Sequence, residues 1–306
     1  MGEAVRHTIP SLIGLALAGG LLVLLPPSAT LVAAFVLVAI VGLPHGASDT
    51  ALARPRWQAW FGGAWLAAFL AAYLGTALVA FVFWISFPVT ALALFLIVSA
   101  AHFGHDDLPS GLADGRGAGT PAGWARGLFV LGAPALFWRA EVAAIFAALL
   151  PADEAGAAEV LASLLQAIAV PAALASILLP RMKGAGDNGD VSFLRSALVL
   201  VPFPPLVGFP LYFAAVHSAR QMRRRTEALG LRSRSDYLLT VWPYALGGVG
   251  VMTLAGLALT GVPDRLLATL FIGLATLTVP HILFGHAPQT ASVTTTQQQT
   301  RETSCA

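Results

Sequence analysis

Charge is what this sequence has least of. Only 10% of its 306 residues are Asp, Glu, Lys or Arg, against about 25% in soluble domains. That leaves too few water-loving groups to cover a globular surface. The same shortage, beside 57% hydrophobic side chains and a mean hydropathy of +0.79, excludes a disordered chain, which needs low hydrophobicity and high charge. Cysteine is nearly missing. The single Cys305 lies in a polar tail, so neither an intrachain disulfide framework nor a cysteine metal site can form. Lysine occurs once, at Lys183, and the arginines are spread thinly. A pI near 9.0 therefore reads as loop charge that orients a membrane protein, and no nucleic-acid partner is expected. These absences point to an all-α, polytopic integral membrane helical bundle.

What is present is a series of long apolar runs. A spanning helix needs roughly 20 largely apolar residues. The runs at 9–27, 30–44, 61–84, 87–103, 155–179, 193–217, 240–261 and 265–284 are bounded by Pro, Gly or charge, where helices stop. The first is long for a cleaved signal and runs straight into the next, so it is read as a retained helix. Segment 193–217 carries Pro202, Pro204, Pro205 and Pro210 and is expected to kink. Stretch 124–150 is interrupted by Gly132, Pro134, Arg139 and Glu141, as either one irregular crossing or a re-entrant piece with an interfacial helix. Arg54 and Arg56, and the cluster Arg220, Arg223, Arg224, Arg225, Arg232 and Arg234, mark two loops expected on the cytoplasmic side of the inner membrane. An even number of crossings between them favours about eight helices, with 124–150 not spanning. Residues 1–286 read as a single transmembrane domain, and the Thr- and Gln-rich 287–306 as a disordered polar tail.

Histidine carries the chemical signal. Of seven, His45, His102, His217 and His281 fall near segment ends on one expected side of the membrane. Polar side chains inside membrane segments are costly and face a bundle interior or cavity. A lone histidine there is ordinarily an interhelical hydrogen-bond partner. Four at one depth suggest a metal site, since neutral imidazole suits iron, zinc and copper. His45 and Asp49, His102 and Asp106, and His217 and Gln221 are each four apart, so each pair shares a helix face. Asp49, Asp106 and Gln221 are thus candidates to fix imidazole tautomers. His105 and His286 read as interfacial, Asp107 and Asp114 as solvated loop charges, and the Arg220–Arg234 cluster as a topology determinant.

At these residues the sequence resembles the bacterial and archaeal Brp/Blh family of β-carotene dioxygenases. The resemblance rests on Pro44-His45-Gly46-Ala47 with Asp49, on Ser99 with His102-Phe103-Gly104 and Asp106-Asp107, on His217-Ser218-Ala219-Arg220, and on Pro280-His281. It implies a membrane enzyme in which a histidine-bound ferrous iron and dioxygen split the central double bond of β-carotene into two molecules of retinal. The catalytic histidines would be His45, His102 and His217, and the product would serve a microbial rhodopsin. The family's ligand set would include a further histidine four residues after His217. Gln221 stands there instead, and a neutral amide is a poor replacement for imidazole. Either His281 supplies the fourth nitrogen, or three histidines hold the metal, or activity is altered.

Two other classes remain in view. A transporter, or a carotenoid- or metal-binding protein without catalysis, also uses broken helices and buried histidines, but no inverted repeat is visible. A relative with a shifted apocarotenoid substrate, a hydroxylase or a desaturase is the other. Di-iron enzymes of that kind show several close histidine pairs, and only His102 and His105 are so spaced here.

Overall fold

The computed structural model describes residues 3–107, 120–182, 188–260 and 262–285. Every element among them is helical, and the order along the chain is α1 (Glu3–Val23), α2 (Pro27–Leu37), α3 (Leu43–Ala47), α4 (Asp49–Phe61), α5 (Trp65–Ser86), α6 (Pro88–Asp107), α7 (Pro121–Gly132), α8 (Ala135–Ala148), α9 (Ala155–Met182), α10 (Asn188–Leu200), α11 (Pro205–Tyr212), α12 (Ala219–Ala228), α13 (Arg234–Ala258) and α14 (Arg265–Gly285). Helices dominate because, without water, every backbone N–H and C=O must be satisfied within its own segment. The all-α membrane bundle is the result. His286, Asp114 and the tail 287–306 lie outside the described residues.

Among the described residues, length and apolarity make five stretches candidate spans: Pro27–Ser86, Pro88–Asp107, Ala152–Pro180, Arg234–Ala258 and Arg265–Gly285. The first takes in two expected segments, 30–44 and 61–84, and turns between them at Gly62, whose φ of 53° suits a residue without a Cβ. Two expected spans are shorter than the sequence suggests. The apolar part of α1 is Pro10–Val23, and segment 193–217 is not one helix. Val201-Pro202-Phe203-Pro204 separates α10 from α11, because closely spaced prolines remove donors and push the preceding residues out of the helical region. The 124–150 stretch is the bent pair α7 and α8, which meet at 69° and would together count as a sixth span. Pro134 sits at the bend, and Trp138 just beyond it has φ −121° and ψ 33°, its indole N–H donating to the Val201 carbonyl at 3.3 Å.

Packing divides into two groups. Helices α3, α4, α5, α13 and α14 contact one another, while α6, α7, α8 and α9 form a second set, with α10 and α11 beside it. Small residues set the closest approach in the second set. A side chain at Gly104 would overlap the Gly123 backbone, and one at Gly127 the Ala100 backbone, so α6 and α7 meet main chain to main chain. This is how helices associate where apolar burial gives no advantage over lipid.

Two π turns lie on the seam between the groups. One, Val38–Gly42, leads into α3, and the other, Phe213–Ser218, joins α11 to α12. Each inserts extra backbone and rotates the downstream helix by about 100° per added residue. They pack against each other, and a side chain at Gly42 would overlap the Phe213 ring. Such turns concentrate at functional sites, and here one precedes His45 by three residues while the other contains His217.

Candidate metal centre

Four histidine rings meet at the seam. His45 comes from α3, His102 from the last turns of α6, His217 from the second π turn and His281 from α14, directly after Pro280. Ring centroids of His45 lie 5.1 Å from His217 and 5.2 Å from His281, and those of His102 lie 5.1 Å and 5.2 Å from the same two. The rings therefore close a four-sided arrangement, with interplanar angles of 68° to 89°. All four are buried, His217 completely. Nitrogens of His45, His102 and His217 lie within 4.8 Å of one another. Two imidazole nitrogens opposed across an ion at about 2.1 Å each would be about 4.2 Å apart, so the spacing suits one shared ion. His281 joins through its ring contacts rather than through that nitrogen cluster.

The outward nitrogens of His281, His217 and His45 are hydrogen-bonded back to the protein, and that of His102 lies beside a carboxylate. His281 Nδ1 donates to Asp49 Oδ2 at 2.7 Å, and His217 Nδ1 donates to Asp107 Oδ1 at 3.2 Å. His102 Nδ1 lies 3.5 Å from Asp106 Oδ2, and His45 Nδ1 donates to the Gly42 carbonyl with Ser218 Oγ 3.2 Å away. A ring whose Nδ1 carries the proton presents Nε2 as a lone pair, the tautomer that binds metal. Nε2 of His217 and Nε2 of His281 are buried without a hydrogen-bond partner. Buried polar atoms are otherwise nearly always satisfied, so two orphaned imidazole nitrogens in one ring of four fit a metal ion.

The carboxylates are held in turn. Asp49 Oδ1 accepts from Arg225 Nη1 at 2.6 Å, and the same guanidinium donates to Ser48 Oγ at 2.8 Å. Burial by itself would lower the Arg225 pKa, but the neighbouring Asp49 carboxylate raises it above the usual arginine value. Asp107 accepts from the Tyr212 hydroxyl at Oδ2, while its carbonyl accepts from Arg220 Nη1 at 2.5 Å. Gln221 is buried and donates Nε2 to the Asp106 carbonyl at 3.2 Å, beside Arg224 Nη1 at 3.0 Å. Tyr237 closes the back of α3 by donating to the Pro44 carbonyl at 2.9 Å.

Sequence spacing and tertiary placement differ in four respects. Asp49 serves His281 rather than His45, because the helix breaks at Ser48 and the carboxylate swings toward α14. Gln221 reaches Asp106 and leaves the imidazole partner of His217 to Asp107. Asp107 is not a solvated loop charge: it is 1% exposed, its carboxylate holds His217 and Tyr212, and its carbonyl holds Arg220. Arg220, Arg224 and Arg225 are not only topology determinants, since each donates to the acidic layer behind the histidines. The adjacent Asp106-Asp107 pair was the available signal, because two successive acids one helical turn after an intramembrane histidine are costly unless partnered.

In front of the rings lies a cavity of about 440 Å³ lined by His45, His102 and His281 together with Leu92, Phe103, Phe209 and Phe213. A second cavity of about 280 Å³ shares Thr50 and Tyr244 with it. The arrangement is a cluster of imidazole nitrogens able to hold a metal ion, at the polar end of an apolar chamber.

No solved structure matches this chain. The sequence is 28% identical over 263 residues to the beta-carotene 15,15'-dioxygenase of uncultured marine bacterium 66A03, an alignment covering 82% of this chain and 90% of that one. Residues 36–287, which include all four clustered histidines and every carboxylate that holds them, match the family described as Beta-carotene 15,15'-dioxygenase, and the chain belongs to that family.

Proposed function

We propose that this protein is an iron- and dioxygen-dependent enzyme that cleaves the central double bond of β-carotene to give two molecules of retinal. The observation that carries the reading is the four-histidine ring, with its orphaned Nε2 atoms, set at the wall of an apolar cavity within a membrane bundle. Ferrous iron bound there would supply the redox chemistry that lets triplet dioxygen react with a closed-shell polyene. His45, His102 and His217 would hold the metal, with His281 as the fourth nitrogen in place of the histidine that Gln221 replaces.

The protein's own residues do the rest. Asp49, Asp107 and the Gly42 carbonyl accept from the outward imidazole nitrogens of His281, His217 and His45, Asp106 lies beside that of His102, and together they fix which way each ring is turned. Arg225 and Arg220 hold those acids, and Gln221 pins α12 to the end of α6. Phe103, Phe209 and Phe213 give the polyene a water-free wall beside the rings. A C40 hydrocarbon is dissolved in the bilayer core, about 30 Å thick, so a chamber between membrane helices takes it without extraction into water. In this reading the site faces the cytoplasmic side of the inner membrane, and retinal passes to a microbial rhodopsin.

Expression in a carotene-producing bacterium tests the reading. The colonies are expected to lose orange colour and accumulate retinal, measured by chromatography. Retinal formation should fall by at least about a hundredfold in His45→Ala or His102→Ala, with iron absent from the purified variants. Undiminished retinal from either variant would refute the assignment.

A further inference from the structure

Arg54 and Arg56 take no part in the layer behind the histidines. They stand on α4 with Pro55 between them, ahead of the Gly62 turn into α5. Both are exposed, and neither pairs with a carboxylate among the described residues. Each lies over an indole ring, but the two settings differ. Arg56 is 4.4 Å from the Trp60 ring centroid, and Trp60 is itself 58% exposed, on open surface. Arg54 is 5.7 Å from the Trp65 ring centroid, at the wall of the 280 Å³ cavity. Its Nε reaches Gln58 Oε1 at 3.4 Å, which leaves both Nη groups for a ligand.

That cavity joins two chemistries. Its polar side carries Arg54 and the hydroxyls of Thr50, Thr240 and Tyr244, with no acidic side chain among the described residues that line it. Thr240 already donates to the Asp236 carbonyl at 2.7 Å. Thr50 is only 5% exposed, yet its hydroxyl makes no hydrogen bond to another described residue, and neither does that of Tyr244. Buried hydroxyls are ordinarily satisfied, so these two are spare donors beside an uncompensated guanidinium. The apolar side is Trp65 with Leu229 and Leu231, which flank Gly230 in a turn with φ 64°. An anion attached to a hydrocarbon uses both sides, whereas a free inorganic anion uses only the first.

Position points the same way. The lining comes from α4, the start of α5, the α12–α13 turn and the first turns of α13. Tryptophan and arginine concentrate where spanning helices meet the headgroups, and a guanidinium fork matches the oxygens of a phosphate. Juxtamembrane arginines attract anionic lipids. We infer that this cavity binds one anionic phospholipid, its phosphate held by Arg54, Thr50 and Tyr244 and its first hydrocarbon groups resting on Trp65, Leu229 and Leu231. The inference is independent of the cleavage reading.

Native mass spectrometry of the full chain in nonionic detergent tests it. The probes are dioleoyl phosphatidylglycerol, dioleoyl phosphatidylcholine and inorganic phosphate. One phosphatidylglycerol per chain should be retained, about fivefold more tightly than phosphatidylcholine, the worth of one arginine at a membrane surface. Arg54→Gln should bring the two lipids to within about twofold of each other. Thr50→Val should weaken phosphatidylglycerol by about tenfold, the loss of one hydrogen bond to a charged group. Arg56→Gln, on open surface, should leave the retained lipid in place. A thermal melt in lipid-free micelles checks the fold of each variant, and the exposed Arg54→Gln should melt as the parent does. Equal retention of the two lipids, undiminished phosphatidylglycerol in Arg54→Gln, or an equal loss in Arg56→Gln overturns the inference. So does displacement of phosphatidylglycerol by millimolar inorganic phosphate, the mark of a free-anion site.

Discussion

Helices α5 and α14 are nearly the same length and both mostly apolar, yet they live in different surroundings. In α5 only Phe69, Ala77 and Trp84 are buried, while Leu78 and Val79 are 61% and 69% exposed. In α14 ten residues are buried, including Thr269, Thr276, Pro280 and His281. In water such exposure of leucine and valine would be a liability, but lipid tails are as apolar as the side chains they touch, so α5 loses nothing. Position inside the bundle is instead signalled by small and polar residues. A side chain at Gly273 of α14 would press on Met252, whereas one at Gly75 of α5 would meet nothing within 4 Å.

The contrast predicts a graded set of outcomes. The largest belongs to the layer behind His281. Asp49→Ala should lower stability in detergent by about 3–5 kcal/mol, because it leaves Arg225 buried without its carboxylate. A thermal melt of purified protein reads this, and a loss as small as that of a lipid-facing substitution would remove the acidic layer's structural role. Next, Asp107→Asn should weaken metal affinity by about 10–100-fold while the fold persists, since the amide no longer holds His217 Nδ1–H as a carboxylate does. Iron titration against a chelator measures it. Third, Gly273→Ala should cost about 1–3 kcal/mol through overpacking against Met252. The smallest effect has the opposite sign. Gly75→Ala should stabilise by about 0.4–1 kcal/mol, because alanine favours the helix and has open space before it. If the two glycine variants shifted the melting temperature alike, the inside–outside distinction between α14 and α5 would fail.

Much of the candidate metal centre was legible in the sequence because intramembrane histidines are rare and expensive, and rarity makes them visible. His45, His102, His217 and His281 stand out without any fold. Their partners were less legible. Spacing of four residues pairs His102 with Asp106, which lie together on α6, but it also pairs His45 with Asp49 across a helix break at Ser48. Arg220 and Arg225 look like loop charge, since an arginine that marks a membrane face and one that grips a buried carboxylate share the same sequence context. Helical segments are likewise legible wherever apolarity runs unbroken. Apolarity misleads at 193–217, where Val201-Pro202-Phe203-Pro204 ends the hydrogen-bond ladder inside an apolar composition.

By itself the sequence determined the solvent and the chemistry. Too little charge for water leaves a membrane as the surroundings, helices as the secondary structure, and four costly imidazoles as groups that must be partnered. Only the tertiary structure decided who partners whom. Two π turns bring His45 and His217 to the seam between two helix groups, and carboxylates turn three of the four rings, for His217 and His281 from other segments of the chain. Local spacing cannot encode those choices, because a contact such as that between His281 and Asp49 joins residues 232 positions apart and exists only once the helices have packed.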